Sequence, residues 1–403
     1  MKILIATSQR SIVGGVETYL QNVIPALYER GHQIAMLYDF DGSSDGATVD
    51  SPDRDLPVWF SGALREQPEQ WRELTEWKAD VVYSHGLGAA DIEKKLQETF
   101  PVIRYVHGYW GTCTTGRKCH AFPAIQSCER SFGPMCLVLH YPRRCGGLNP
   151  VLAWKMFQTE RTNHALLAGY RAVLVASRHM HAEFARNGVR GEALRVVRLP
   201  LPGSTSDAAQ IPRTPGSRLL FVGRLTDVKG VDFLIRAMAQ AGAKLGRKLT
   251  LKVAGDGAER NKLQDLARRE EAAVEFCGWI DNARKMELMR LADLLVVPSL
   301  WPEPFGLVGI EAASVGLPAA GFAAGGIPDW LIPGETGELA PSDPPTVEGL
   351  AEAIARALGD ADHFQRLCRG AFEMSQKFTL PRHVAELEAL LYSHAGSLEH
   401  AHK

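Results

Sequence analysis

No stretch of the 403-residue chain approaches the ~18 uninterrupted apolar residues of a membrane-spanning helix, so none is expected. The opening run Met1-Lys2-Ile3-Leu4-Ile5-Ala6 is too short for a secretory leader, which makes a cytoplasmic location the expectation. Charge of one sign is not in excess either: 45 Lys and Arg face 46 Asp and Glu, a net charge of −1. That balance gives no global attraction to nucleic acid or to an anionic membrane, and no nucleic-acid partner is expected. Cysteine is scarce, at seven residues. Five of them crowd into one segment as Cys113, Cys119, Cys128, Cys136 and Cys145. No two of these stand about two to four residues apart, the spacing of common zinc knuckles.

Apolar residues make up 45% of the chain and charged residues 23%, an ordinary globular balance for two cores. Short apolar runs alternate with helical patterns. Ile3–Ala6, Ile34–Tyr38, Val81–Tyr83, Val102–Val106 and Val173–Val175 read as buried strands. Val16, Tyr19, Leu20, Val23, Ile24 and Leu27 fall on one helix face. Residues 201–217 are rich in Pro, Ser, Gly and Thr, the composition of a linker. The rhythm then restarts with strands at Leu219–Val222, Leu249–Val253, Val274–Phe276 and Leu294–Val297. Continuous apolar strands separated by helices imply parallel sheets covered on both faces. The expected fold is therefore α/β: two doubly wound domains over residues 1–205 and 206–380, with a C-terminal helix and tail over 381–403. Residues 108–150 form a Cys-rich insert too long for an ordinary connection. Ligands of such sheets sit beyond the carboxyl ends of the strands, so the interdomain cleft is the expected site.

Four motifs fall at such strand ends. Gly14-Gly15 follows the first strand, where glycine lets backbone approach a ligand and helix amides attract anions. Gly223-Arg224-Leu225-Thr226-Asp227-Val228-Lys229-Gly230 offers two cations in a loop opening a helix, suited to a diphosphate. Ala254-Gly255-Asp256-Gly257 reads as a structural turn, with Asp256 capping the next helix. In the fourth, Pro302 and Pro304 bracket Glu303 and fix where its carboxylate points. A helix then starts near Gly306 and carries Glu311 about a turn and a half in.

Gly14-Gly15, Gly223-Arg224 with Lys229, Glu303-x7-Glu311 and the later Ala323-Ala324-Gly325-Gly326-Ile327-Pro328-Asp329 occur in this order in retaining glycosyltransferases of family 4, which the chain resembles nearly throughout, residues 108–150 excepted. The resemblance implies a GT-B fold of two facing Rossmann-like domains, the first on the acceptor side and the second binding the donor. It implies transfer from a UDP- or GDP-sugar to the hydroxyl of a carbohydrate, lipid-linked or small-molecule acceptor, in bacterial glycoconjugate, polysaccharide or metabolite biosynthesis. Arg224 and Lys229 would neutralise the diphosphate. Glu303 would hold sugar hydroxyls near the amides of Phe305, Gly306 and Leu307, and Glu311 the ribose. Gly14, Gly15 and Gly223 would approach the donor closely. Trp279 and Ile280 would lie by the base, and His107 by the sugar, with His85 a second histidine of the same kind. Fixed cations would make a catalytic metal unnecessary, and no cofactor is expected for catalysis. A nucleotide-sugar epimerase and a non-catalytic nucleotide-sugar-binding protein are the competing readings.

The five insert cysteines, with His107, His120 and His140 nearby, admit a structural zinc; inert thiols, disulfides and an iron–sulfur cluster are the other readings. The insert is also locally basic, with Arg117, Lys118, Arg130, Arg143 and Arg144 against Glu129. Interleaved apolar residues suggest that it shapes the acceptor site or touches the inner face of an anionic membrane; a surface lobe with solvated Arg is the plainer reading.

Overall fold

A computed structural model describes residues 1–12, 14–41, 48–49, 56–201 and 214–396. Most of the expected linker, the expected boundary between residues 205 and 206, residues 42–47 and 50–55 and the extreme tail lie outside the described residues.

The first sheet uses β1 (Lys2–Gln9), β2 (Gln33–Phe40), β3 (Val58–Phe60), β4 (Val81–Gly86) and β5 (Val102–Val106). Two short antiparallel strands of the insert follow, β6 (Cys119–His120) and β7 (Gln126–Ser127). The chain then returns to the sheet through β8 (Ala172–Val175) and β9 (Leu194–Val196). Its order is β3-β2-β1-β4-β5-β8-β9, all parallel. The second sheet holds β10 (Arg218–Val222), β11 (Thr250–Ala254), β12 (Ala273–Gly278), β13 (Leu294–Val297), β14 (Ala319–Phe322) and β15 (Gly337–Ala340). Its order is β12-β11-β10-β13-β14-β15, again parallel. Two doubly wound α/β domains are therefore present. Sequence periodicity found the long apolar strands but missed β3, β9, β14 and β15, which are short or built on Ala and Gly.

Both faces of the first sheet are buried. Ile3, Ile5, Tyr83, Ile103 and Tyr105 pack with Leu20, Val23 and Ile24 of the helix Gly15–Glu29. Leu4, Ala6, Val82 and Val106 fill the opposite face. Val384, Leu387 and Leu391 of the helix Leu380–His394 join the first of these two cores. The chain's last helix thus crosses back from the second sheet to the first. Strand order reverses at β1/β4 in one sheet and at β10/β13 in the other. Those are the points where doubly wound folds open a crevice for ligands.

Candidate active site

The crevices bring residues from both domains onto one shared cavity. Gly15, Val16, Tyr19, His107 and, from the second domain, Leu307 line this cavity of about 270 Å³. Gly14 stands at the N-cap of the helix Gly15–Glu29 without a side-chain hydrogen bond to that end. Its first-turn amides therefore lack the usual Ser, Thr or Asp cap.

Across the cleft, Lys229 and Glu303 meet. The Lys229 Nζ donates to Glu303 Oε1 at 2.5 Å, and Ser299 Oγ donates to the same oxygen at 2.6 Å. Lys229 also lies 5.3 Å from the Trp301 ring centroid, where a cation is attracted by the ring face. The loop backbones make this approach possible. Gly230 has φ +64°, and a Cβ there would meet the Pro298 carbonyl oxygen at 2.0 Å. Gly325, at φ +62°, would put a Cβ 2.4 Å from the Glu303 backbone nitrogen and oxygen. Glycine at these two places lets the cation loop and the Gly-Gly segment close on the Glu303 loop. The Gly326 amide completes the contact by donating to Glu303 O at 2.7 Å.

Glu311 lies on the helix Leu307–Ala313 and is buried. Burial pushes its carboxyl pKa up, opposed by Lys285, whose Nζ donates to it at 2.7 Å. Lys285 comes from the helix Asn282–Leu291 and was not singled out in the sequence; Ser299, Trp301 and Trp330 were missed as well. Trp330 Nε1 donates to Phe305 O at 2.7 Å, and Gly306, at φ +87°, opens the Glu311 helix. Arg224 is exposed at the rim of the Lys229 loop, Gly223 opens that loop, and Trp279 is 80% exposed beside the half-buried Ile280. Asp256 corrects the expectation of a helix cap: it accepts from the Gly257 amide and pairs with Arg260, while Glu259 holds the N-cap position.

His107 follows β5 and lies 2.8 Å (Nε2) from His85 Nδ1. Burial, with Arg104 and His383 nearby, pulls its pKa down to about 3. It is a neutral imidazole at pH 7, able to donate from one nitrogen and accept at the other. Around it Tyr19 Oη bonds both Tyr83 Oη and His383 Nε2 at 2.7 Å, so the last helix buttresses this wall. A second cavity of about 330 Å³ adjoins His107 and His85 and is lined also by Arg104, Trp110, Glu160 and Asn163. Asn163 Nδ2 and the Gly111 amide both donate to Glu160.

The zinc expectation is not upheld. All seven cysteines are free thiols, and among the described residues no three Cys, His or carboxylate groups are placed to hold a metal. His107 is engaged with His85, and His140 Nε2 with Gly147 O. Burial and neighbouring thiols push Cys119 up to about 12 and Cys145 up to about 11. Two of the insert's cations are ion-paired within the chain: Lys118 is buried against Glu183 at 2.9 Å, and Arg117, partly exposed, reaches across the cleft to Asp227 at 2.8 Å. The chain has three Asp-x-Asp triplets, two of them among the described residues. Asp39 accepts from Ser61 and Gly88, Asp41 pairs with Arg10, and Asp360 caps the helix Ala361–Ser375; Asp53 and Asp55 lie outside the described residues.

Residues 13–200 match the model of Glycosyltransferase Family 4, and residues 206–374 match that of Glycosyl transferases group 1. The chain belongs to the family 4 type of glycosyltransferases. The glycosyltransferase is 28% identical over 375 residues to glycogen synthase of Mycobacterium tuberculosis, covering 89% of this chain and 86% of that one. It is 25% identical over 356 residues to the phosphatidyl-myo-inositol mannosyltransferase of the same organism, covering 85% and 82%. Its fold is that of Anabaena HepE, solved with UDP and glucose, at a TM-score of 0.67 and 20% identity, covering 98% and 100% of the two chains. The GT-B architecture and an activity on nucleotide sugars follow for this glycosyltransferase.

Proposed function

We propose that the protein is a retaining hexosyltransferase that moves a sugar from a UDP- or GDP-sugar to an acceptor hydroxyl. The observation that carries the donor half is the Lys229–Glu303 pair at the carboxyl ends of β10 and β13. Departure of a nucleoside diphosphate builds negative charge on the β-phosphate, and fixed cations stabilise it where it develops. Lys229 turns from Glu303 to that phosphate, joined by Arg224 from the rim. Glu303, released from the ammonium, accepts hydroxyls of the transferred sugar. Glu311 takes the ribose hydroxyls, and neutral His107 faces the sugar from the opposite wall. No carboxylate is assigned as a nucleophile; as the family resemblance implies, the acceptor attacks from the leaving group's own face. The acceptor is a carbohydrate, lipid-linked or small-molecule hydroxyl of bacterial glycoconjugate, polysaccharide or metabolite synthesis. It is taken at the cytoplasmic side, by the cavity beside His107, as the relatives named for glycogen and phosphatidylinositol substrates make reasonable.

Incubation with UDP- and GDP-hexoses and an acceptor panel tests this, read by nucleoside diphosphate release and by NMR of the new anomeric centre. The expected product keeps the donor's anomeric configuration. An inverted product overturns the retaining assignment, and isomerised donor without transfer makes the protein an epimerase.

A further inference from the structure

The large exposed apolar side chains are concentrated in one lobe. Phe122, Met135, Val138, Tyr141, Leu148, Val151, Leu152 and Trp154 are all exposed, Leu148 at 77%, Val138 at 65% and Val151 at 62%. Three pieces of chain carry them, and these pieces are tied together. The amides of Ala121 and Phe122 donate to Arg143 O, and the Arg144 guanidinium lies 5.5 Å from the Phe122 ring centroid. The helix Met135–His140 packs on the helix Pro150–Leu166, and His140 bonds Gly147, next to Leu148. Leu148, Val151, Leu152 and Lys155 follow a helical spacing at the exposed start of the second helix. Exposed apolar side chains gathered in one lobe, rather than scattered singly, mark an interaction surface.

Its charge is predominantly positive. Among the described residues, Arg130, Arg143, Arg144, Lys155 and Arg161 have no carboxylate partner, while Arg117 and Lys118 are the insert's paired cations. The acidic residues of the same stretch are Glu129 and the buried Glu160. Aliphatic side chains and a Trp flanked by unpaired Lys and Arg match the boundary between acyl chains and anionic headgroups. A second copy of this chain would bring the same five cations against themselves.

We propose that this lobe, built from Phe122, the helix Met135–His140 and the first turns of the helix Pro150–Leu166, docks on the surface of an anionic bilayer. Val151, Leu152, Leu148 and Trp154 enter the headgroup boundary, and Arg143, Arg144 and Lys155 meet lipid phosphates. Trp110, at the start of the insert, lines the cavity beside His107, so docking sets that cavity near the membrane. The surface names the partner of the acceptor side but does not rest on the transfer assignment.

Sedimentation of the full chain with vesicles tests it without donor or acceptor. The wild type is expected to pellet with equimolar phosphatidylglycerol and phosphatidylcholine, to remain in solution with phosphatidylcholine alone, and to be released by salt. V151D/L152D is expected to weaken partitioning more than about tenfold, from two lost apolar insertions. Aspartate suits the first turn of a helix, so this variant keeps its fold. R143Q/R144Q is expected to weaken it about 25-fold, since each cation near an anionic surface contributes about fivefold. Wild type left in solution with anionic vesicles, equal pelleting with neutral ones, or unchanged pelleting of both variants overturns the proposal. Concentration-dependent dimerisation abolished by V151D/L152D, without vesicle binding, overturns it in favour of a second copy.

Discussion

Lys229 Nζ lies 2.5 Å from Glu303 Oε1 across 74 residues of sequence, joining the loop after β10 to the loop after β13. Each side chain neutralises the other, with Glu303 buried and Lys229 only partly exposed. A donor replaces this one pair by two contacts, phosphate on Lys229 and hydroxyls on Glu303.

Removal of either partner therefore acts twice. Lys229→Ala leaves a buried carboxylate unpaired and removes the phosphate contact. Turnover is expected to fall by about 10²–10³-fold, with a stability loss of about 3 kcal/mol. Glu303→Gln keeps the hydrogen-bond acceptor and is expected to restore part of that stability in the Lys229→Ala background. Equal melting temperatures for the single and double variants contradict the coupling.

Lys285→Ala addresses the second pair. Glu311 is buried, and Lys285 is what holds its carboxyl toward the ionised form. Without it the group protonates more readily and loses acceptor strength toward ribose. Nucleoside diphosphate affinity is expected to drop about tenfold, the loss of one charge-assisted hydrogen bond. Calorimetric titration measures it, and an unchanged Kd contradicts the assignment.

Glu160 links stability to pH. Burial raises its carboxyl from 4.5 to about 7. The folded state holds this proton more tightly than the unfolded chain, so its stabilisation is complete below about pH 4.5 and is lost as pH rises through about 7. Glu160→Gln keeps one acceptor for the Gly111 amide and removes the titration. The variant is expected to gain on the order of 1–3 kcal/mol relative to wild type between acid and pH 8. Parallel denaturation curves across that range contradict it.

His107, held near a pKa of 3 by burial and by Arg104, carries no titration near neutrality. Its ring resonances are expected to stay flat from pH 5 to 8, whereas an exposed histidine moves through its ordinary value there. A midpoint near 6.5 assigned to His107 contradicts the buried-imidazole geometry.

The fold was legible wherever a strand was long and aliphatic, as in Ile3–Ala6 or Leu294–Val297. Ala319–Phe322 lacked that signature, because a strand of Ala and Gly owes its burial to neighbours rather than to its own side chains. Glycine and proline at strand ends exposed the Glu303 loop and the Lys229 loop, since backbone constraints leave marks in local sequence. Lys285, Ser299 and His383 left none. Each is ordinary in its own segment and gains its role only from a partner brought by the fold, His383 from 364 residues away. The cysteines showed the converse: crowding in sequence suggested zinc, but spacing does not determine whether thiols converge on one point.

Thermal shift with UDP and with GDP, on wild type and on Lys229→Ala, tests the donor site most directly. One nucleotide is expected to raise the wild-type melting temperature, since a ligand that binds only the folded state stabilises it, and to leave Lys229→Ala nearly unmoved. No shift with either nucleotide, or the same shift in the variant, would contradict a donor site built on Lys229 and Glu303.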